Sequence, residues 1–484
     1  VPDLIEQIRL ATQALAEFGV HLFNPTIRLG VTGLSRAGKT VFITALVHGL
    51  VRGGRFPVFE ALATGRIARA YLAPQPDDAV SRFDYESHIN ALVDKRSWPT
   101  STRQISELRV VIDYQSLSEY QRTLTLDIVD YPGEWLLDLP LLTKSYEKWA
   151  SESLRLSRQR QRADFAKDWH SYLSTLNPEG MEDEQQALTA TRLFTEYLRA
   201  CRDNNYAISL LPPGRFLMPG DLANTPALTF APLELSGEGP PPAGSLWAMM
   251  RRRYESYKSV VVRPFFRDHF ARLDRQIVLV DALAAINAGP EALLDLEQAL
   301  GQVLDCFQTG RKTILSALLR PRIDRLLLAA AKADQLHHTS HDRLETILKR
   351  VTEHAMARAE VAGAQVDVVA LAAIRATREA TVRRGRQELP CVLGVPIAGE
   401  TMAGEIFDGE TEVAIFPGDL PDDPDDLLRP KNRSRGSISS PQSPDFRFLR
   451  VRPPLLEFTE KGGPALPHIR LDRALQFLIG DRLV

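Results

Sequence analysis

Short, unbroken apolar runs bounded by turn residues recur along the chain, at 27–32, 276–280, 325–331 and 366–371. Runs of that length and continuity suit strands buried on both faces of a parallel sheet. The stretches 107–114 and 122–130 lie close enough in sequence to pair as an antiparallel hairpin. Between these runs the apolar positions take helical spacing, first in the segment 40–50. Alternation of this kind predicts an α/β fold.

The same patterning divides the chain. Leu4, Ile5, Ile8, Ala11, Leu15 and Phe18 predict an N-terminal helix over 1–24, broken by Asn24-Pro25. Residues 25–139 form the first part of an α/β core, interrupted at 51–104 by a weakly periodic, proline-containing insertion with Phe83, Tyr85 and Trp98. A helical insert is expected over 140–270. Phe165, Trp169, Tyr172, Leu173 and Leu176 share one helical face there, and Phe194, Tyr197, Leu198 and Cys201 another. The core resumes at 271–384. The C-terminal region, 385–484, shows strand-like pieces at 391–397, 412–416 and 446–451, and then a terminal helix. Within it Asp422, Asp423, Asp425 and Asp426 precede Arg429, Lys431, Arg433 and Arg435, so 421–445 is expected to be a mobile loop.

Composition narrows the function classes. With 484 residues, 44% hydrophobic and 25% charged, the chain is globular and long enough for several domains. Its 59 basic and 61 acidic side chains give a net charge of −2, which offers a polyanion such as nucleic acid no general attraction. Cys201, Cys306 and Cys391 are too scattered for a disulfide framework or a paired zinc site, which fits a reducing, cytoplasmic setting. No apolar run is long enough to span a membrane, and the sequence opens at Val1 without a basic signal region.

One motif carries chemistry directly. Gly33-Leu34-Ser35-Arg36-Ala37-Gly38-Lys39-Thr40 satisfies G-x-x-x-x-G-K-[ST] between a predicted strand and a helix. Its backbone N–H groups, from Ser35 through Val41, can wrap a phosphate, and the helix N-terminus favours an anion. Lys39 supplies charge at the β- and γ-phosphates, and the Thr40 hydroxyl is a candidate Mg²⁺ ligand. Next, 126–130 ends in an aspartate, and Asp130-Tyr131-Pro132-Gly133 matches the D-x-x-G of a GTPase switch. Asp130 then belongs to the magnesium shell, and the Gly133 N–H to the γ-phosphate. Glu134 takes the place where Ras-like proteins carry a water-orienting Gln, and Arg36 or Arg103 could compensate in cis.

Base recognition has a candidate in Ala331-Lys332-Ala333-Asp334, which follows a predicted strand where a GTPase carries N-K-x-D. A carboxylate at Asp334 accepts from guanine N1 and N2, which adenine does not offer in that arrangement. Ala331 replaces the Asn and removes one polar contact, while the Lys332 stem can pack along the base. The loop Ala372-Ala373-Ile374-Arg375 follows the last core strand, where a backbone N–H could meet guanine O6.

In this order the motifs resemble the YcjX-like family of P-loop GTPases. Trp98-Pro99-x-Ser101-Thr102-x-x-Ile105-Ser106-Glu107-Leu108-Arg109 and the tail Leu475-Gln476-Phe477-Leu478 resemble it too. The resemblance implies a Ras-like P-loop NTPase core with a large helical insert and GTP/GDP binding, while Thr40 and Asp130 add Mg²⁺ and Glu134 in the place of the Gln adds slow GTP hydrolysis. It also implies a link to the bacterial phage-shock or envelope-stress response, with an unidentified protein partner from that setting. It makes Thr102, or Thr100 as second choice, the switch threonine that completes the magnesium shell. A P-loop ATPase or kinase, and a nucleotide-stabilised scaffold with negligible turnover, are the competing readings.

Two further clusters are set aside. His337 and His341 have i, i+4 metal-binding spacing, with His338 between them, but the sequence places no third ligand. Arg251-Arg252-Arg253 reads as a solvated helix face, with a peripheral membrane or partner surface as the alternative.

Overall fold

The structure, a computed structural model, describes residues 25–33, 36–100, 102, 104–203, 212–222, 225–235, 239–305, 323–402, 404–428, 446–456 and 465–484. The expected helix 1–24, most of the tract 421–445, Cys306, Ser35, Ser101 and Arg103 lie outside the described residues.

The apolar runs do form strands: β1 (Thr26–Gly33), β4 (Ser106–Gln115), β5 (Gln121–Asp130), β6 (Arg275–Val280), β7 (Arg325–Ala330) and β8 (Gln365–Ala370). With β2 (Ile67–Ala73) they make one sheet in the order β2-β4-β5-β1-β6-β7-β8, and the two-residue β3 (Ser81–Arg82) pairs with β4. From β5 to β8 every pairing is parallel, while β4 runs antiparallel to β5 and β2 antiparallel to β4. This is a Ras-like arrangement with an added edge strand, and it bears out the α/β expectation. β2 falls in the stretch expected to be irregular. Half-exposed on the sheet edge, with Arg69 and Tyr71 in solvent, it lacks the unbroken apolar run that marks the central strands.

The helices that position the site are α1 (Lys39–Arg52), α2 (Tyr146–Ser157), α3 (Glu184–Asp203), α4 (Leu246–Tyr257), α5 (Pro290–Asp305), α6 (His341–Val361) and α7 (Leu471–Ile479). Strand alternation sorts the core into two layers. Ile277, Leu279, Leu327 and Val369 face one layer with α1 and α7. Val278, Val280, Leu328 and Val368 face the other with α5 and α6. The end of the chain is pinned by Arg275, which is fully buried and ion-paired to Asp324 and Asp481.

Between Gly133 and Arg272 the described secondary structure is helical, around a third core rich in aromatic residues. Ser145 and Ser245 cap α2 and α4 by accepting from the N–H groups of Lys148 and Ala248. Trp149 stacks on Tyr254 at 5.1 Å, and Trp169 on Tyr197 at 5.3 Å. Where this unit joins the sheet, Tyr131 meets Phe265 and Phe270 edge-on, at 5.4 and 6.3 Å.

Beyond β8 the chain adds β9 (Arg378–Arg384), β10 (Gln387–Gly394), a hairpin of β11 (Thr401–Met402) and β12 (Glu405–Ile406), and β13 (Val413–Ile415), in the antiparallel order β13-β10-β9. The expected strand at 446–451 is not one: only Val451 makes a bridge, to Pro396.

Candidate nucleotide site

At the carboxyl end of β1 the chain turns sharply. Gly33, Arg36 and Gly38 all have positive φ (152°, 64° and 87°), the last of them capping α1 with no side-chain hydrogen bond. The first N–H groups of α1 are therefore left for a ligand. Lys39 folds over the loop, its Nζ 3.1 Å from the Gly33 carbonyl.

Three oxygens gather beside it. Thr40 Oγ1 lies 3.2 Å from Thr102 Oγ1, and the Thr102 hydroxyl donates to Asp130 Oδ2. Asp130 Oδ1 is buried and has no hydrogen-bond partner among the described residues. Burial pushes the Asp130 carboxyl up to about 6, opposed by the Lys39 charge, the Thr102 hydroxyl and the Tyr131 backbone N–H. Two hydroxyls and a carboxylate oxygen with an unused lone pair form a hard donor set that fits Mg²⁺.

On the far side, Lys332 takes a left-handed turn, φ 62°, and its ammonium pairs with Asp281 at the end of β6. Asp334 is almost fully buried, and its Oδ2 accepts from the Ala376 N–H at 2.9 Å. Burial lifts this carboxyl to about 6 as well, against the Ala376 and neighbouring backbone N–H groups, Lys332 and Arg375.

One cavity of about 690 Å³ connects these groups. Arg36, Ala37, Gly38, Lys39, Thr40, Val41, Thr102, Glu134, Lys332, Asp334 and Ala373 all line it. Gly33, Asp130 and Gly133 are buried and do not line it. Arg375 does not line it: its N–H donates to Pro467 O, its Nε to Thr377 O, and its head pairs with Glu379. Sequence reading did not place Arg202, Met218, Ile397, Arg450 or Val451 here, yet all line the cavity. The first two come from the helical unit and the last three from the C-terminal region, so no local motif marks them. Trp98 joins the wall too, its indole N–H donating to Val451 O at 2.7 Å.

The histidines separate. His341 Nε2 lies 2.9 Å from Ala333 O, so the i, i+4 pair does not form, whereas Glu379 lies beside His337 and His338.

Sheet order, phosphate loop and the aspartate-terminated β5 together define a Ras-like P-loop protein. The chain belongs to the YcjX-like family, DUF463, which it matches over residues 27–483. It is similar to the Ras-like GTPase YcjX of Escherichia coli K12, 35% identical over 473 residues covering 94% of this chain and 96% of that protein. It is likewise similar to the Ras-like GTPase YcjX of Shewanella oneidensis, 34% identical over 486 residues and 94% of each chain. No described helix is long and apolar enough to cross a membrane.

Proposed function

We propose that this chain binds guanine nucleotide with Mg²⁺, hydrolyses GTP slowly to GDP, and works as a nucleotide-dependent switch. The observation that carries this is the single cavity joining a phosphate loop, a hard-oxygen donor set and a buried carboxylate at a strand end. The names of the relatives, Ras-like GTPases, support the same reading.

In this assignment the N–H groups from Arg36 to Val41 and the Lys39 ammonium bind the α-, β- and γ-phosphates. Thr40, Thr102 and Asp130 would hold the metal, which would supply positive charge to offset that of the phosphate oxygens. Gly133 reports the γ-phosphate, and Lys332, Asp334 and Ala373 receive the base. Glu134 can accept a proton-bearing water but repels the γ-phosphate and has no amide to donate, which makes unassisted turnover slow. The setting in a bacterial stress response, and a protein partner drawn from it, rest on the family resemblance.

Competition binding of GDP, XDP and ADP tests the base assignment. Asp334→Asn should lose GDP affinity and favour XDP, because xanthine offers a carbonyl where guanine offers an amino group. A wild type that prefers ADP would replace the guanine reading with an ATPase one.

A further inference from the structure

The cavity wall includes a guanidinium that does not come from the Ras-like core. We propose that Arg202, in the last turn of α3, is a catalytic residue that reaches the γ-phosphate of bound GTP and so supplies an arginine in cis. This deepens the guanine-nucleotide reading above and rests on it.

Arg202 lines the cavity together with Lys39, Thr40, Thr102 and Glu134. Its end of the helical unit is fastened to the segment that follows Asp130. Gly214 lies so close to that segment that a Cβ on it would be 1.7 Å from Glu134 O. Trp135 Nε1 donates to Met218 O at 2.9 Å, and Asp138 Oδ1 accepts from Gly214 N at 2.7 Å. α3 packs on the same short turn, Gly214–Leu217. Arg202 and Met218 are thereby linked to the Glu134 part of the cavity, where Thr102 and Asp130 mark the γ-phosphate side.

Two other cations in the wall, both outside the phosphate loop, are already engaged. Lys332 pairs with Asp281 on the base side, and Arg450 grips Glu400 through Nε and a terminal nitrogen. Among the described residues, Arg202 pairs with its neighbour Asp203, Nε to Oδ1 at 3.2 Å, an exposed contact easily exchanged for phosphoryl oxygens.

The chemistry needs no further reactant. Water oxygen bonds to the γ-phosphorus, the bond to the β–γ bridging oxygen breaks, and GDP and inorganic phosphate leave with one proton released. Charge builds on the bridging and γ-oxygens during this step, and a guanidinium there stabilises it while offsetting the Glu134 carboxylate.

The test compares wild type, Arg202→Ala, Arg202→Lys and Arg36→Ala in the full chain. Single-turnover GTP hydrolysis, GDP titration and thermal shift with GDP plus aluminium fluoride are measured for each. Arg202→Ala should slow hydrolysis by about 100-fold or more, keep GDP affinity, and lose the extra stabilisation by aluminium fluoride. Arg202→Lys should fall between the two. Wild-type rates in Arg202→Ala would overturn the proposal, and a loss confined to Arg36→Ala would move the role to the phosphate loop. Loss of GDP binding in both Arg202 variants would overturn it in favour of a structural role. Failure of the underlying reading looks different, because wild type itself would then not bind GDP.

Discussion

Gly214 offers the most direct test of how the helical unit meets the core. An added Cβ would stand 1.7 Å from Glu134 O and 2.4 Å from its carbonyl carbon, both backbone atoms with no rotamer to yield. Overpacking of this kind costs about 1–3 kcal/mol. Relief requires the turn to back away, which stretches the 2.7 Å bond from Gly214 N to buried Asp138. Loss of a hydrogen bond to a charged, buried acceptor costs about 1.5–3 kcal/mol. Gly214→Ala should therefore destabilise by roughly 3–5 kcal/mol. Gly301 is the control: it lies within α5 with nothing within 4 Å of its added Cβ, so Gly301→Ala should stabilise by about 0.5–1 kcal/mol. Guanidinium unfolding followed by tryptophan fluorescence is a suitable assay, because Trp135, Trp149, Trp169 and Trp247 all belong to the helical unit's core. If both variants unfold at the wild-type midpoint, the close approach is not holding the two parts together.

Lys39→Ala should abolish GDP binding in isothermal titration while the unfolding midpoint stays near wild type, since among the described residues the Lys39 ammonium donates just to Gly33 O; wild-type affinity would sink the phosphate assignment. Burial lifts the Asp138 carboxyl to about 6, against donors from Tyr257, Gly214 and Arg215 and the Arg215 charge. The folded chain therefore keeps a proton that the unfolded chain releases near its ordinary value of about 4. Stability from this group is full below that value and is lost as pH rises through 6. Asp138→Asn does not titrate, so its deficit relative to wild type should shrink between pH 4 and 7, and unfolding midpoints that diverge instead would refute the sign. Phosphate release without partners should be far slower than in metabolic ATPases, and a fast rate would mean that Glu134 does not stand in for the switch Gln.

The central strands were readable because each buries both faces, which forces an unbroken apolar run. β9, with the sequence Arg378-Glu379-Ala380-Thr381-Val382-Arg383-Arg384, carries no such constraint and gives no signal. The phosphate loop was legible because wrapping a phosphate demands glycines at positive φ, and Gly33 and Gly38 both have it. Arg202 and Arg450 were not, since each is brought to the cavity by packing between segments distant in sequence. Arg375 was read for a backbone N–H in the loop after β8, and that N–H donates to Pro467 O, a partner some ninety residues on that no local pattern announces.

Because β1 pairs with β5 on one side and β6 on the other, the sheet leaves at Asp130 and resumes at Arg275, roughly 140 residues on. On a ribosome adding ~5–20 residues per second, β1 waits about 7–30 s with one apolar edge unpaired. Tyr131 and Phe270 lie at the two ends of this detour and touch. Once the helical unit has condensed around its aromatic core, they hold its exit beside its entrance, so β6 is delivered next to β1 instead of searching from the end of a long loop. Substitution of Tyr131 should accordingly appear first as insoluble protein during synthesis, before any change in what the finished molecule binds.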